Sequence, residues 1–265
     1  MGRLGAPAAI LAAALLAACS GELKLPSTGA PDAAGTSTDA AAGLTTSTTP
    51  DRPFNPFLDR EETAVSARTV IDKPSRAEVM QAGVLPEFSI GRADAPVVMI
   101  KYMSLTCPYC RRFQAETFPV LKREYIDTGK VRFILREFPI GKASGMATIA
   151  LRCAPMDKYL ALYEKLLSQQ AQWVSQEVRL DPIYRIAAQV GMSRQQFDSC
   201  RQNQAMIEGL KGVKERGREL GIIGTPNFFV DGRLVKQVIG IKEIREMVDP
   251  VLAGRVASGT RAAGN

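Results

Sequence analysis

Apolar residues along this chain follow two spacings, and the order in which the spacings alternate predicts the fold. Val97-Val98-Met99-Ile100-Lys101-Tyr102-Met103 opens with an unbroken apolar run, as in a strand buried on both faces. Val131 to Leu135 predicts a second core strand. Between them, Cys107 to about Tyr125 has helical spacing, with a kink expected at Pro119. Upstream, Ser75 and Glu78 form a capping box before a short helix from Ala77 to Ala82, stopped by Gly83, and Phe88-Ser89-Ile90 predicts an edge strand. From Gly141 to Gly221 only helical spacing appears, as in Met146/Ile149/Ala150, Tyr159/Leu162/Tyr163/Leu166 and Ile183/Ile186/Ala187. Ser193 with Gln196 opens one of these helices. A strand follows at Pro226 to Val230, then a tight Asp231-Gly232 hairpin turn and a partner strand from Leu234 to Ile239. A helix from Ile241 to about Leu252 closes the pattern. The fold class is therefore α/β: a βαβ unit with a right-handed crossover, an inserted all-helical subdomain, then ββα.

The first 70 residues do not share this patterning. Met1-Gly2-Arg3 is a short basic start, and the apolar stretch from Ala8 to Ala18 is too short to span a bilayer. Residues 1–18 read as an export signal. Leu16-Ala17-Ala18-Cys19 resembles the bacterial lipobox, which implies lipidation of Cys19; the alternative is an ordinary signal peptide with Cys19 incidental. Residues 19–70, rich in Ala, Ser, Thr, Pro and Gly, predict a disordered tether with a span of roughly 40 Å. Order is expected over 71–253: residues 71–140 and 222–253 build one domain, 141–221 form its helical insertion, and 254–265 are a flexible tail. Export implies an oxidising compartment where disulfides persist, here the periplasmic side of a bacterial membrane, with the chain lipid-anchored there or secreted if Cys19 is not lipidated.

Composition matters most through what it removes. The chain contains no histidine, which excludes Ser-His and Cys-His catalysis and His-ligated metals. A net charge of +7 comes from 34 basic and 27 acidic residues that are interspersed. The local excess at Lys211, Lys214, Arg216 and Arg218 reads as a solvated helix face; no aromatics interleave with it, so no nucleic-acid partner is expected. Chemistry concentrates at Cys107-Pro108-Tyr109-Cys110, between a strand and a helix. A thiol at a helix start meets orphan backbone N–H groups and the positive end of the helix dipole, so its thiolate is favoured. Arg111 and Arg112 add positive charge. Pro108, in the first turn, lacks only an N–H that would be orphaned anyway. Cys107 is the expected nucleophile, and Cys110, about one turn deeper, the resolving thiol.

Together these features resemble the DsbA family of thiol:disulfide oxidoreductases, which have a thioredoxin fold with a helical insert. The resemblance rests on Ile90-Gly91-Arg92-Ala93-Asp94-Ala95-Pro96-Val97, the CPYC motif, Arg136-Glu137-Phe138-Pro139, and Gly224-Thr225-Pro226-Asn227-Phe228-Phe229-Val230-Asp231-Gly232, over roughly residues 86 to 253. It implies a cofactor-free, metal-free enzyme that introduces disulfides into exported thiol proteins and is reset by a membrane redox partner. It also implies a cis Thr225–Pro226 loop that faces the cysteines and docks substrate backbone; the alternative is a trans proline starting an edge strand. Two positions depart from the family. Tyr109 stands where strongly oxidising members have His, so a potential between about −120 mV and about −200 to −230 mV is expected. Lys101 stands six residues before Cys107, where thioredoxin-fold enzymes commonly bury an acid. An ammonium there lowers the thiol pKa, with Glu137 as a possible partner, unless Lys101 points to solvent.

Cys153 and Cys200 remain. In an oxidising compartment they are expected to form a structural disulfide, worth at most roughly 4 kcal/mol for a loop of about 48 residues. Two free thiols, or a four-thiolate zinc site shared with Cys107 and Cys110, are the alternatives. Two functional readings compete with the oxidase: a reductase or isomerase of the same fold, and a non-catalytic surface lipoprotein that binds a partner.

Overall fold

The computed structural model describes residues 70–262, with side chains through Arg255. Residues 1–69, over which an export signal, lipidation of Cys19 and a tether are expected, lie outside the described residues. Five strands, β1 (Phe88–Ile90), β2 (Val97–Met103), β3 (Val131–Glu137), β4 (Asn227–Val230) and β5 (Arg233–Val235), form one sheet in the order β1-β3-β2-β4-β5. β2 and β3 are parallel, with Val97 opposite Val131 and Lys101 opposite Leu135, and the other pairings are antiparallel. β2 is central and buried along its whole length. Its period of two sorts side chains into two cores. Val97, Met99 and Met103 join Phe133, Leu135 and Phe228 on one face; Val98, Ile100 and Tyr102 join Ile134 and Phe229 on the other. Parity places Lys101 on the first face.

The helices are α1 (Arg76–Met80), α2 (Pro108–Arg112), α3 (Phe118–Leu121), α4 (Lys142–Arg152), α5 (Met156–Ser168), α6 (Gln170–Trp173), α7 (Leu180–Ala188), α8 (Arg194–Cys200), α9 (Gln204–Glu219) and α10 (Ile241–Ala262). Both predicted capping boxes, at Ser75 and Ser193, are present. α2 and α3 belong to one rod interrupted by π-turns over Phe113–Thr117 and Lys122–Ile126. Proline at 119 lacks an N–H, and its ring would press on the carbonyl four residues back. The π-turn relieves this by passing the Phe118 N–H to the Phe113 carbonyl, so the distortion is taken up on both sides of Pro119. Gly217 brings α9 close to the second core: a Cβ there would lie 2.8 Å from a Tyr102 ring carbon and 3.1 Å from Phe138.

Three elements differ from the sequence expectation. α1 ends at Met80 rather than Ala82. β5 stops at Val235, although Leu234 to Ile239 was expected to pair. Continuing the register beyond Phe228–Val235 would set Gln237 opposite Pro226, which has no N–H to donate. α10 runs through Pro250 to Ala262, so residues 254–262 extend a helix instead of beginning a tail. Arg255 gives this extension a tie: its guanidinium bonds both oxygens of Asp231, at 3.0 and 3.1 Å, and the Pro96 carbonyl. Asp231 itself (φ 46°) and Gly232 (φ 88°) both adopt positive φ, the conformation of the predicted hairpin turn. Among the described residues no helix is long and apolar enough to cross a membrane.

Candidate active site

β2 delivers the chain to Cys107, which caps α2 in an extended conformation. Its Sγ accepts the Cys110 N–H at 3.2 Å, so it occupies the orphan-donor position of the helix start. From the opposite side comes the loop before β4, where Thr225–Pro226 is cis. The Cys107 thiol lies 3.1 Å from the Thr225 carbonyl, to which it donates. Cys107 and Cys110 are both free thiols, but their environments differ: Cys107 is partly exposed and Cys110 fully buried. The Cys107 pKa is lowered from 9.0 to about 6, chiefly by a hydrogen bond from the Cys110 thiol. Burial opposes this, while the Thr225 side chain and the N–H groups of Cys110 and Tyr109 reinforce it. Thr225 therefore acts in two senses, since its carbonyl favours the protonated thiol and its hydroxyl the thiolate; the thiolate prevails. Burial pushes the Cys110 thiol well above its ordinary value, and its hydrogen bond to Cys107 pushes it further.

The helical insertion supports this loop from beneath. Gln170 Nε2 donates to the carbonyls of Leu105 (2.7 Å) and Cys107 (3.1 Å). Ser144 Oγ lies 2.7 Å from Ser104 Oγ and accepts the Leu105 N–H at 3.2 Å. Lys101 is completely buried. Its Nζ donates to Tyr163 Oη at 3.0 Å and sits 4.2 Å from the centre of the Phe113 ring, one turn past Cys110. Burial lowers its pKa to about 8, against the pull of Cys110 and Cys107 in the other direction. Tyr109 is exposed at the rim, beside Pro108.

A family model described as thioredoxin matches residues 84–250. The chain belongs to the thioredoxin family. A relative from Rickettsia typhi, provisionally named a protein-disulfide oxidoreductase, is 29% identical over 171 residues, covering 64% of this chain and 63% of that protein. Disulfide bond formation protein D of Bacillus subtilis is 23% identical over 177 residues, covering 63% of this chain and 77% of its own length. Against three Rickettsia relatives the chain spans only 52 to 63% of their lengths. The crystal structure of Wolbachia pipientis alpha-DsbA1 superposes with a TM-score of 0.63 at 25% identity, over 69% of this chain and 99% of that one. The oxidised form of BdbD from Bacillus subtilis, at 21% identity and a TM-score of 0.59, covers 70% of this chain and 98% of its own and shares the fold. The resemblance to DsbA read from the motifs thus holds at the level of family and fold.

Within this thioredoxin-family site the expected residues do not all converge. Cys107, Pro108, Cys110, Thr225 and Pro226 meet at one place, with Lys101 behind them. Glu137 does not partner Lys101. Although it shares that face of the sheet, the insertion claims both its oxygens: Tyr159 Oη donates to Oε1 at 2.6 Å and Arg152 to Oε2 at 2.7 Å. Arg111 is exposed on α2, and the groups that lower the Cys107 pKa are hydrogen-bond donors around the helix start, the Cys110 thiol first among them. Lys101 points inward, away from solvent. Cys153 and Cys200 are bridged, across 47 positions. That bond takes two of the thiols a shared zinc site would need. The sequence assigns Ser144, Tyr163 and Gln170 no place at the site. They reach the site across 39 to 65 positions, and nothing in their helices marks them apart from other buried positions.

Proposed function

We propose that this chain is an extracytoplasmic thiol:disulfide oxidoreductase that introduces disulfide bonds into exported proteins. The observation that carries the reading is the Cys107 sulfur, an acidic thiol at a helix start, backed by a buried, high-pKa Cys110 and faced by Thr225. In the oxidised enzyme a client thiolate attacks Cys107 Sγ, and the electron pair of the Cys107–Cys110 bond passes to Cys110. A second client thiolate then attacks the client sulfur of the mixed disulfide, releasing Cys107 as a thiolate. A low-pKa thiol leaves readily, which favours this direction. The client backbone docks along Thr225 as an added extended segment. The names of the Rickettsia and Bacillus relatives support the activity. A membrane redox partner removes the two electrons and resets the site, and Cys19, lipidated, holds the enzyme on the periplasmic side of the membrane.

Incubation with a reduced, unfolded client protein tests the reading. The wild type should form client disulfides; Cys110→Ser should accumulate a covalent enzyme–client species that dithiothreitol releases; Cys107→Ser should do neither. Exchange that persists in Cys107→Ser would overturn the assignment. One observation favours the reductase or isomerase reading: the residue between Pro108 and Cys110 is an exposed phenol without positive charge. Recovery of a scrambled client faster than oxidation of a reduced one would decide for it.

A further inference from the structure

We infer that the buried ammonium of Lys101 sets the oxidising strength of the Cys107–Cys110 couple, because the oxidised site holds this charge without a counter-anion and reduction supplies one. The inference rests on the oxidoreductase reading and identifies what, in this chain, does the work of a positive charge that Tyr109 lacks.

The surroundings of Lys101 carry the argument. From α5 it meets the neutral hydroxyl of Tyr163, at 3.0 Å. The neighbouring acid on that helix, Glu164, accepts instead from Gln114, at 3.1 Å. From β3 the acid on the same sheet face, Glu137, is held by Arg152 and Tyr159. Across the other edge of β2 the residue opposite Lys101 is Phe228, and the ring of Phe113 lies over the ammonium from the active-site rod. Cys107 and Cys110 are the remaining ionisable groups that act on it. A buried ion without a partner is strongly unfavourable, and a hydroxyl and an aromatic face compensate it only partly. In the reduced protein the lysine still carries its proton at neutral pH, since burial, opposed by the two cysteines, brings its pKa down only to about 8.

Reduction changes this balance. Two electrons from the client's thiols enter the Cys107–Cys110 bond as the client's own disulfide forms. Of the client's two protons one ends on Cys110 and the other in solvent, which leaves Cys107 as a thiolate. The site then contains one anion for its one cation. The ammonium is thus better accommodated in the reduced protein, and the disulfide is the stronger oxidant for it.

Lys101→Met removes the charge with little change of volume. Its equilibrium constant for oxidising glutathione should fall at least tenfold below wild type, about 30 mV toward more reducing potentials. By the thermodynamic cycle, urea denaturation should show the oxidised form gaining stability over the reduced form by the same factor. A packing role alone would weaken both forms equally and leave the constant unchanged, and that outcome overturns the inference. Lys101→Gln, which keeps a donor for Tyr163, carries the same expectation. A measurement on the wild type needs no variant: the Lys101 side chain, followed by NMR, should titrate at higher pH in the reduced protein than in the oxidised one. Equal values also overturn the inference, while exchange with clients continues unaffected. Failure of the wild type to exchange at all would instead remove the oxidoreductase reading itself.

Discussion

Two thiols three positions apart end with opposite acidities because a helix start gives them opposite surroundings. Cys107 accepts hydrogen bonds at the α2 terminus, and Cys110 lies one turn inward without solvent. This difference should be visible directly in alkylation kinetics. The rate of carbamidomethylation of the reduced native protein should rise through a midpoint near pH 6, with Cys107 as the modified residue and Cys110 untouched. Thr225→Val should move that midpoint upward by removing the hydroxyl that steadies the thiolate. A single midpoint near that of an ordinary thiol, or modification of Cys110 first, would contradict the asymmetry. Cys107 and its spacing to Cys110 were plain in the sequence, because a cap position and a CxxC are local features. Lys101 was legible as a residue near the pair, but its orientation was not: in a strand whose every residue is buried, alternation no longer tells which side chain faces the site, and its hydroxyl partner, Tyr163, belongs to a helix 62 positions away.

The same division between local and distant appears among elements. Strands β1 to β4, the two capping boxes and the hairpin turn were legible because each is fixed by residues within a few positions of one another. The end of β5 was not, since it depends on whether the facing residue has an N–H, nor was the length of α10, which depends on Asp231 and Pro96. The insertion appeared only as helical spacing, yet Ser144 from α4, Tyr163 from α5 and Gln170 from α6 lie against the loop and strand that bear the cysteines. The Cys153–Cys200 bond, which joins the ends of α4 and α8, should hold this scaffold in place. Replacing both residues by alanine should lower stability by about 2–4 kcal/mol, the upper figure being the loop-closure limit. The Cys107 midpoint should stay near pH 6, because neither residue contributes to its hydrogen bonds. Urea titration with parallel alkylation checks both, and a displaced midpoint would mean that the bridge also shapes the site.

Over the whole molecule, the acidic thiol ties redox state to stability. In the reduced protein Cys107 titrates near 6 when folded and near its ordinary 9.0 when unfolded, so between these values the unfolded chain binds more protons. Stability from this group is fully present above the unfolded value and is lost as pH falls through 6. The oxidised protein has no such thiol. The stability of the reduced form relative to the oxidised form should therefore increase between pH 6 and 8, by on the order of 1 kcal/mol once solvent screening of a partly exposed sulfur is allowed for. Above that range the trend should flatten and then reverse. Cys110, raised by burial, keeps its proton in the folded protein while the unfolded chain gives it up. Urea denaturation of both redox forms at pH 6, 7, 8 and 9.5 measures the difference. A difference that is flat from pH 6 to 8 would mean that folding does not favour the Cys107 thiolate. Cys107 would then lose the low pKa that makes it a good leaving group.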